Sequence, residues 1–340
     1  MDDKILIASK MGDQDSVILP MPGYYEMLTS VIPMQWSVIW KTPTDFDYFE
    51  QFSKYCHFTW FDVFIVFLFA VLWTWLRTAL TYYLFQPFLD SLKMTDATSA
   101  AKTPESMYKS IWYSISWSYT AYLLFNGKYT IFQDPASIFA DWSNGMEVPL
   151  DIYIIYVYQC GFYVHSIYAS IYVDVIRSDF YLVMAHHILT IMLLAFSYIV
   201  RYHKIGVLVL FCHDLCDVLL ETGKIITRTK QRNGKVYNLN EYIANATFAV
   251  FIFVWILTRL YWYPLKVLYA GGRFFHPVMP FVTTFNVMLW MLLAMNLYWF
   301  WMILDLLARL LSGQMSDGIR DSREENGAVP GKDKKAKKVQ

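Results

Sequence analysis

Long apolar runs separated by short polar stretches dominate the chain. The first clear run spans about 59–84, and a second, rich in Tyr, Ser and Trp, lies near 107–125. A third covers about 150–173. Two more flank the polar turn Arg201-Tyr202-His203-Lys204 within residues 179–224. The sixth covers about 243–260 and the seventh about 281–311. A helix needs about 20 mainly apolar residues to cross a bilayer. The pattern therefore predicts an all-α, multi-pass membrane bundle of about seven transmembrane helices, with the second and fifth runs the least apolar.

Residues 1–56 read differently. Pro20, Pro22, Pro33 and Pro43 interrupt an aromatic stretch, and proline breaks the helical ladder. An irregular, non-cytosolic N-terminal segment is expected there. Residues 57–312 then form the membrane domain. Residues 313–340 are polar and charged, the composition of a disordered tail. The first fifteen residues or so lack an apolar run after a basic start, so no cleavable signal is expected and the first span serves for insertion.

Composition strengthens this reading. The chain has 340 residues, 56% hydrophobic and only 16% charged, where a soluble domain has about 25% charged. The net charge is zero, so no overall basic surface suggests nucleic acid. The cations are nonetheless unevenly placed. With the N-terminus non-cytosolic, seven crossings put Lys93, Lys102, Lys109, Arg177, Lys224, Arg228, Lys230, Arg232, Lys235 and the tail lysines on the cytosolic side. That asymmetry obeys the positive-inside rule. The chain ends Lys337-Lys338-Val339-Gln340, a dilysine-like address for endoplasmic reticulum retrieval. Cys56, Cys160, Cys212 and Cys216 follow no zinc or disulfide spacing and read as buried thiols.

Ionisable residues inside the fourth and fifth runs change the picture most. The fourth holds His186 and His187; the fifth holds His213, Asp214 and Asp217. Such groups are costly in a membrane and mark function by default. The short turn makes the two runs antiparallel neighbours. Counting from it puts His187 level with about Cys216, and Thr190 with about His213, at 1.5 Å per residue. His186, Thr190 and Ser197 share one helical face, and His213 or Asp214, Asp217 and Glu221 share one on the other helix. His165 and Ser166 of the third run could join the same cavity. A histidine beside a carboxylate suits acyl transfer, with the carboxylate orienting the imidazole or the imidazole taking the acyl group itself. Two other readings stand beside it. His and Asp can simply hydrogen-bond two helices together. His186, His187, His213 and an Asp could also bind a metal, although adjacent histidines diverge by about 100° on a helix.

The run from His186 to Lys224 resembles the Lag1 motif of ceramide synthases, within the TRAM–LAG1–CLN8 domain family. The matching pieces are His186-His187, Phe196-Ser197-Tyr198, Ile205-Gly206, His213-Asp214 with Asp217, and Glu221 with Lys224. The resemblance extends over about 57–315. It is nearest the type 1 branch, which lacks a homeobox-like domain. It implies N-acylation of a sphingoid base by a long-chain acyl-CoA in the endoplasmic reticulum membrane. Acyl-CoA is then a substrate, and no cofactor is expected. His186 or His187 would carry the acyl group, with Asp214 in support and His213 and Asp217 completing the site. The last loop, with Gly271, Gly272, Arg273, Phe274 and Phe275, would set acyl length. The resemblance leaves open a homo- or heterodimer. The alternatives are a non-enzymatic lipid-sensing or translocon-associated member of the same superfamily, and a seven-span receptor.

Overall fold

The computed structural model describes residues 21–40, 48–175, 178–275 and 279–312. The dilysine-like ending, Arg177 and the first twenty residues lie outside them. Helix dominates. α1 combines Tyr24–Glu26, a π-helical turn Met27–Val31 and Ile32–Trp40. α2 is Tyr48–Tyr55. Seven long helices follow: α3 (Trp60–Leu80, prolonged to Ser91), α4 (Ala97–Phe125), α5 (Leu150–Tyr172), α6 (Phe180–Ile199), α7 (His203–Arg228), α8 (Asn238–Trp255, prolonged to Arg273) and α9 (Val282–Leu311). Each coincides with one of the seven apolar runs.

α1 and α2 replace the irregular backbone expected for much of 1–56. Pro33 sits inside α1, directly after the π-helical turn. The wider turn lets the ladder pass a residue that lacks an N–H. Gln35 anchors α1 to the bundle. Its amide N–H reaches Asn286 Oδ1 at 3.0 Å, and its Oε1 accepts from Trp290 Nε1 at 2.8 Å.

Four of the long helices are long and apolar enough to cross a membrane: α3, α6, α8 and α9 with their prolongations. α4, α5 and α7 fall short because their polar groups point inward. Thr103, Glu105, Ser106, Ser116 and Thr120 of α4 are buried, as are Gln159 and His165 of α5 and His213, Asp214, Glu221 and Lys224 of α7. Apolar groups cover the outside instead. On α3, Trp60, Phe61, Phe64, Phe67 and Trp75 are exposed, while Ala70 and Trp73 face inward. The arrangement suits lipid around the bundle and polar contacts within it.

The pairing of helices corrects one expectation. α6 and α7 are consecutive, but neither has the other as its main partner. α7 packs most broadly along α4 and then α8, and α6 along α5. α6 and α7 meet at their turn. Arg201 takes a left-handed conformation there (φ 66), and Tyr202 N–H returns to Ser197 O at 2.6 Å. This is the Schellman closure of a helix end. Tyr156 of α5 wedges beside the turn and hydrogen-bonds Ser197 Oγ and His203 O, each at 2.9 Å. Away from the turn a cavity lies along the two helices. At its far end a β-hairpin, β1 (Gln231–Arg232) with β2 (Lys235–Val236), turns through Asn233 and Gly234. Positive φ at both residues is what a tight hairpin turn needs. The hairpin ties to the start of α4 through Met94 and Thr95.

Gly206 is required by close approach: a Cβ there would overlap the buried Tyr156 hydroxyl. Gly223, on the same helix, has only Thr247 Cγ2 at 3.7 Å. Gly206→Ala is expected to destabilise by about 1–3 kcal/mol through overpacking. Gly223→Ala is expected to be neutral or to stabilise by about 0.5–1 kcal/mol through helix propensity. Thermal unfolding in detergent checks this; equal effects would contradict the wedge.

Candidate functional site

A cavity of about 880 Å³ opens between the ends of α4 to α9 that carry the hairpin. His186 and His187, about two turns into α6, line it, as do Asp217 and Arg259. The two imidazole centroids lie 6.0 Å apart. Tyr163 of α5 meets both, at 6.2 and 5.7 Å. Trp299 of α9 meets His186 edge to face at 5.2 Å. The polar lining carries both signs of charge, with Lys102, Lys109, Lys224, Arg228 and Lys230 beside Asp96, Asp174, Asp179 and Glu221, while Val183, Phe251, Trp255, Trp299, Met302 and Ile303 make an apolar wall.

The five ionisable residues read from the sequence divide between two surroundings. His186, His187 and Asp217 line the cavity; His213 and Asp214 do not. Asp214 is fully buried, and its Oδ2 accepts from Ser116 Oγ at 2.5 Å and Gln159 Nε2 at 2.7 Å. It therefore clamps α7 to α4 and α5, and its hydrogen bonds do not run to a histidine. His213 Nδ1–H donates to Val209 O at 2.7 Å, and Nε2 accepts from Asn296 Nδ2 at 3.1 Å. Among the described residues no three His, Cys, Asp or Glu side chains stand close enough to hold a metal ion.

Arg259 joins these groups. It is 3% exposed and sits in the π-helical stretch Ile256–Leu268 of α8. Nη2 donates to both Asp217 oxygens at 3.1 Å and to His213 O at 2.9 Å. Nη1 reaches Asn296 Oδ1 at 3.4 Å. The guanidinium lies over the Trp255 ring, 4.1 Å from its centroid. One cation thus ties α7, α8 and α9 together beside the cavity. Nearer the mouth, Glu221 accepts from Ser106 Oγ at 2.5 Å and from Lys224 Nζ at 2.9 Å. Asp174, just beyond α5, takes Arg77 at 2.6 Å and Lys109 at 3.1 Å. Burial pushes the Asp174 carboxyl up, but Lys109 and Arg77 outweigh it and hold the group below the usual carboxylate range.

Of the polar residues expected around the same cavity, Thr190, Ser197, His165 and Ser166, only Ser166 lines it among the described residues. Thr190 Oγ1 donates to its own helix at His186 O, Ser197 serves the turn, and His165 Nδ1 pairs with Thr74 Oγ1 at 2.8 Å. The loop with Gly271, Gly272, Arg273, Phe274 and Phe275 does not line the cavity either. Phe275 stacks on Phe139 at 4.3 Å, and Gly272 lies against Gln35 and Val31 of α1.

Sequence reasoning passed over Arg259, Asn296, Gln159, Ser116, Tyr163 and Trp299. Arg259 carried the signal used for the histidines, a charge inside an apolar run. Gln159 and Asn296 carried a weaker one. Tyr163 and Trp299 had none, in a chain with 26 Tyr and 13 Trp.

Residues 102–305 match the family model of the TLC domain, TRAM–LAG1–CLN8. Ceramide synthase 1 of Homo sapiens is 43% identical over 80% of this chain and 78% of its own length. Its Mus musculus counterpart is 40% identical over the same shares. Ceramide synthase LOH2 of Arabidopsis thaliana is 31% identical over 69% of this chain and 80% of its own length.

Removing one member of a fully buried ion pair costs about 3–5 kcal/mol, and Asp217, partly open to the cavity, brings the cost below that. Arg259→Met should therefore lower stability, and adding Asp217→Asn should recover part of the loss. A double-mutant cycle by thermal unfolding in detergent checks this; strictly additive effects would contradict the pair.

Proposed function

The chain belongs to the ceramide synthases of the TLC-domain family, which join sphingoid bases to fatty acyl groups from acyl-CoA, and we propose that His186 or His187 carries the acyl group during the transfer. The observation behind this reading is the pair of imidazoles on the wall of one cavity that has both a lysine- and arginine-bearing polar part and an apolar wall. The polar part suits the phosphates of CoA, because Lys and Arg bind phosphate oxygens through charge-assisted hydrogen bonds. The apolar wall suits an acyl chain and a lipid amine. Histidine is a competent acyl carrier. The acyl-histidine route splits the transfer into two steps, with CoA leaving before the sphingoid amine attacks.

In this reading α3 to α9 all cross the endoplasmic reticulum membrane, and the charged mouth faces the cytosol. α4, α5 and α7 are admitted as spans because their polar groups satisfy one another inside the bundle. Residues 57–312 act as one catalytic unit. Asp214 acts through position: by fastening α7 to α4 and α5 it holds the helix that bears Asp217. The Asp217–Arg259 pair ties that same helix to α8. Acyl-CoA is a substrate, and the histidine route calls for no cofactor.

The test is expression of His186→Ala, His187→Ala and Asp214→Ala separately, with sphinganine and mixed acyl-CoAs supplied to microsomes and lipids read by mass spectrometry. At least one histidine variant should lose about 10²-fold or more, the scale of a missing acid–base or nucleophilic group. Asp214→Ala should lose activity together with thermal stability. Normal ceramide output from all three would remove the site.

A further inference from the structure

Tyr113 of α4 lines the cavity and is partly buried. Its ring packs edge to face on Phe162 of α5 at 5.6 Å. The ionisable groups that act most strongly on its hydroxyl are Asp217, then Tyr163, Asp214 and Glu221. All four lie within the bundle, so the hydroxyl points inward. It has no hydrogen-bond partner among the described residues, and it is not one of the polar atoms closed off from water. On a residue that lines the cavity, such a hydroxyl is open to the cavity. The bonds between α4 and α7 give its level. Ser110 Oγ meets Thr222 Oγ1 at 3.0 Å, and Ser116 Oγ meets Asp214 Oδ2 at 2.5 Å. The two helices are thus antiparallel, and Tyr113, midway between the serines, stands level with about Val218, next to Asp217. The Asp217 side chain is 23% exposed. Tyr163 joins this level to the histidines, since its ring meets those of His186 and His187 at 6.2 and 5.7 Å.

We propose that the Tyr113 hydroxyl hydrogen-bonds the C1 hydroxyl of the sphingoid base and so selects for an amino-alcohol head. This rests on the chain's acting on sphingoid bases, and not on which residue carries the acyl group. A sphingoid base bears its amine on C2, between hydroxyls on C1 and C3, and its chain leaves beyond C3. The amine has to reach the acyl carbon, and the chain belongs on the apolar wall. C1 is the free end, and it is left to the polar lining. Tyr113 is part of that lining, with Asp217 level with it and Lys109 one turn away on α4. Negative charge at Asp217 suits an ammonium beside the C1 hydroxyl. A phenol hydroxyl both donates and accepts, so it meets an alcohol in either sense. Open and unpaired, it gives up no protein partner when the base arrives. A site that hydrogen-bonds a substrate hydroxyl discriminates against the analogue that lacks it, because its own polar group is then left unmet.

The test compares sphinganine with 1-deoxysphinganine, which lacks only the C1 hydroxyl, on the wild type, Tyr113→Phe and Tyr108→Phe. Tyr108 lies on the same helix, donates its hydroxyl to Trp73 O at 3.2 Å and does not line the cavity. The full-length protein is assayed in microsomes at saturating acyl-CoA, with kcat/KM measured for each base. The ratio between the bases is read within one preparation, so any loss of folded protein cancels. One neutral hydrogen bond is worth about 2- to 10-fold. Wild type and Tyr108→Phe should prefer sphinganine by about that factor. Tyr113→Phe should lose the preference, by falling on sphinganine while 1-deoxysphinganine is unchanged. A Tyr113→Phe ratio equal to that of the wild type would overturn the proposal and leave acyl transfer intact, whether both activities fall or neither does. The same loss of preference in Tyr108→Phe would overturn it too, by making the effect one of helix packing. No acylation of either base by the wild-type protein would end both this inference and the reading it rests on.

Discussion

A guanidinium inside an apolar bundle has to be met on all sides, and Arg259 is. Asp217 balances its charge, the His213 carbonyl and Asn296 take further N–H groups, and the Trp255 ring covers its face. These partners come from three helices, so the charge fixes how α7, α8 and α9 stand relative to one another. A buried ion pair adds little net stability, because desolvation offsets much of the attraction. Its consequence is geometric: the partners must stay in place. His213 is held through its backbone carbonyl and, by way of Asn296, through its ring. The π-helical stretch of α8 carries Arg259, and π-helical turns often occur at functional sites.

A second constraint complements the first. Asp214 binds Ser116 and Gln159, which ties α7 to α4 and α5. α7 is therefore gripped from both sides by polar contacts that lipid cannot replace. Held in this way, it stays off most of α6, and the cavity lies between the histidine pair and Asp217. The exclusion of α4, α5 and α7 from the most apolar helices is thus the cost of building a polar site inside a membrane protein. A water-soluble thioester and a lipid amine need a place where charged groups adjoin an apolar wall, and the cavity has both.

The helical architecture was legible in the sequence because a 20-residue apolar run leaves few alternatives to a helix. The histidine pair was legible because charge in such a run is conspicuous. The partner of Asp214 was not. Depth counting placed it near His186, yet rotation about two helix axes decides which groups meet, and Ser116 and Gln159 lie 98 and 55 residues away. The packing of α6 was misjudged for a related reason: a short turn fixes only where two helices start. Pro33 signals the end of a helix in the sequence, whereas the π-helical turn before it carries α1 through. Arg259 could have been found by the rule that found the histidines.

The proposed transfer passes the acyl group through a histidine of the cavity wall. Incubating the purified protein with acyl-CoA and no sphingoid base, then mapping peptides by mass spectrometry, tests it directly. An acyl adduct should appear on the peptide bearing His186 and His187, lost when sphinganine is added and matched by ceramide. An enzyme that turns over normally with no adduct on either histidine would contradict it.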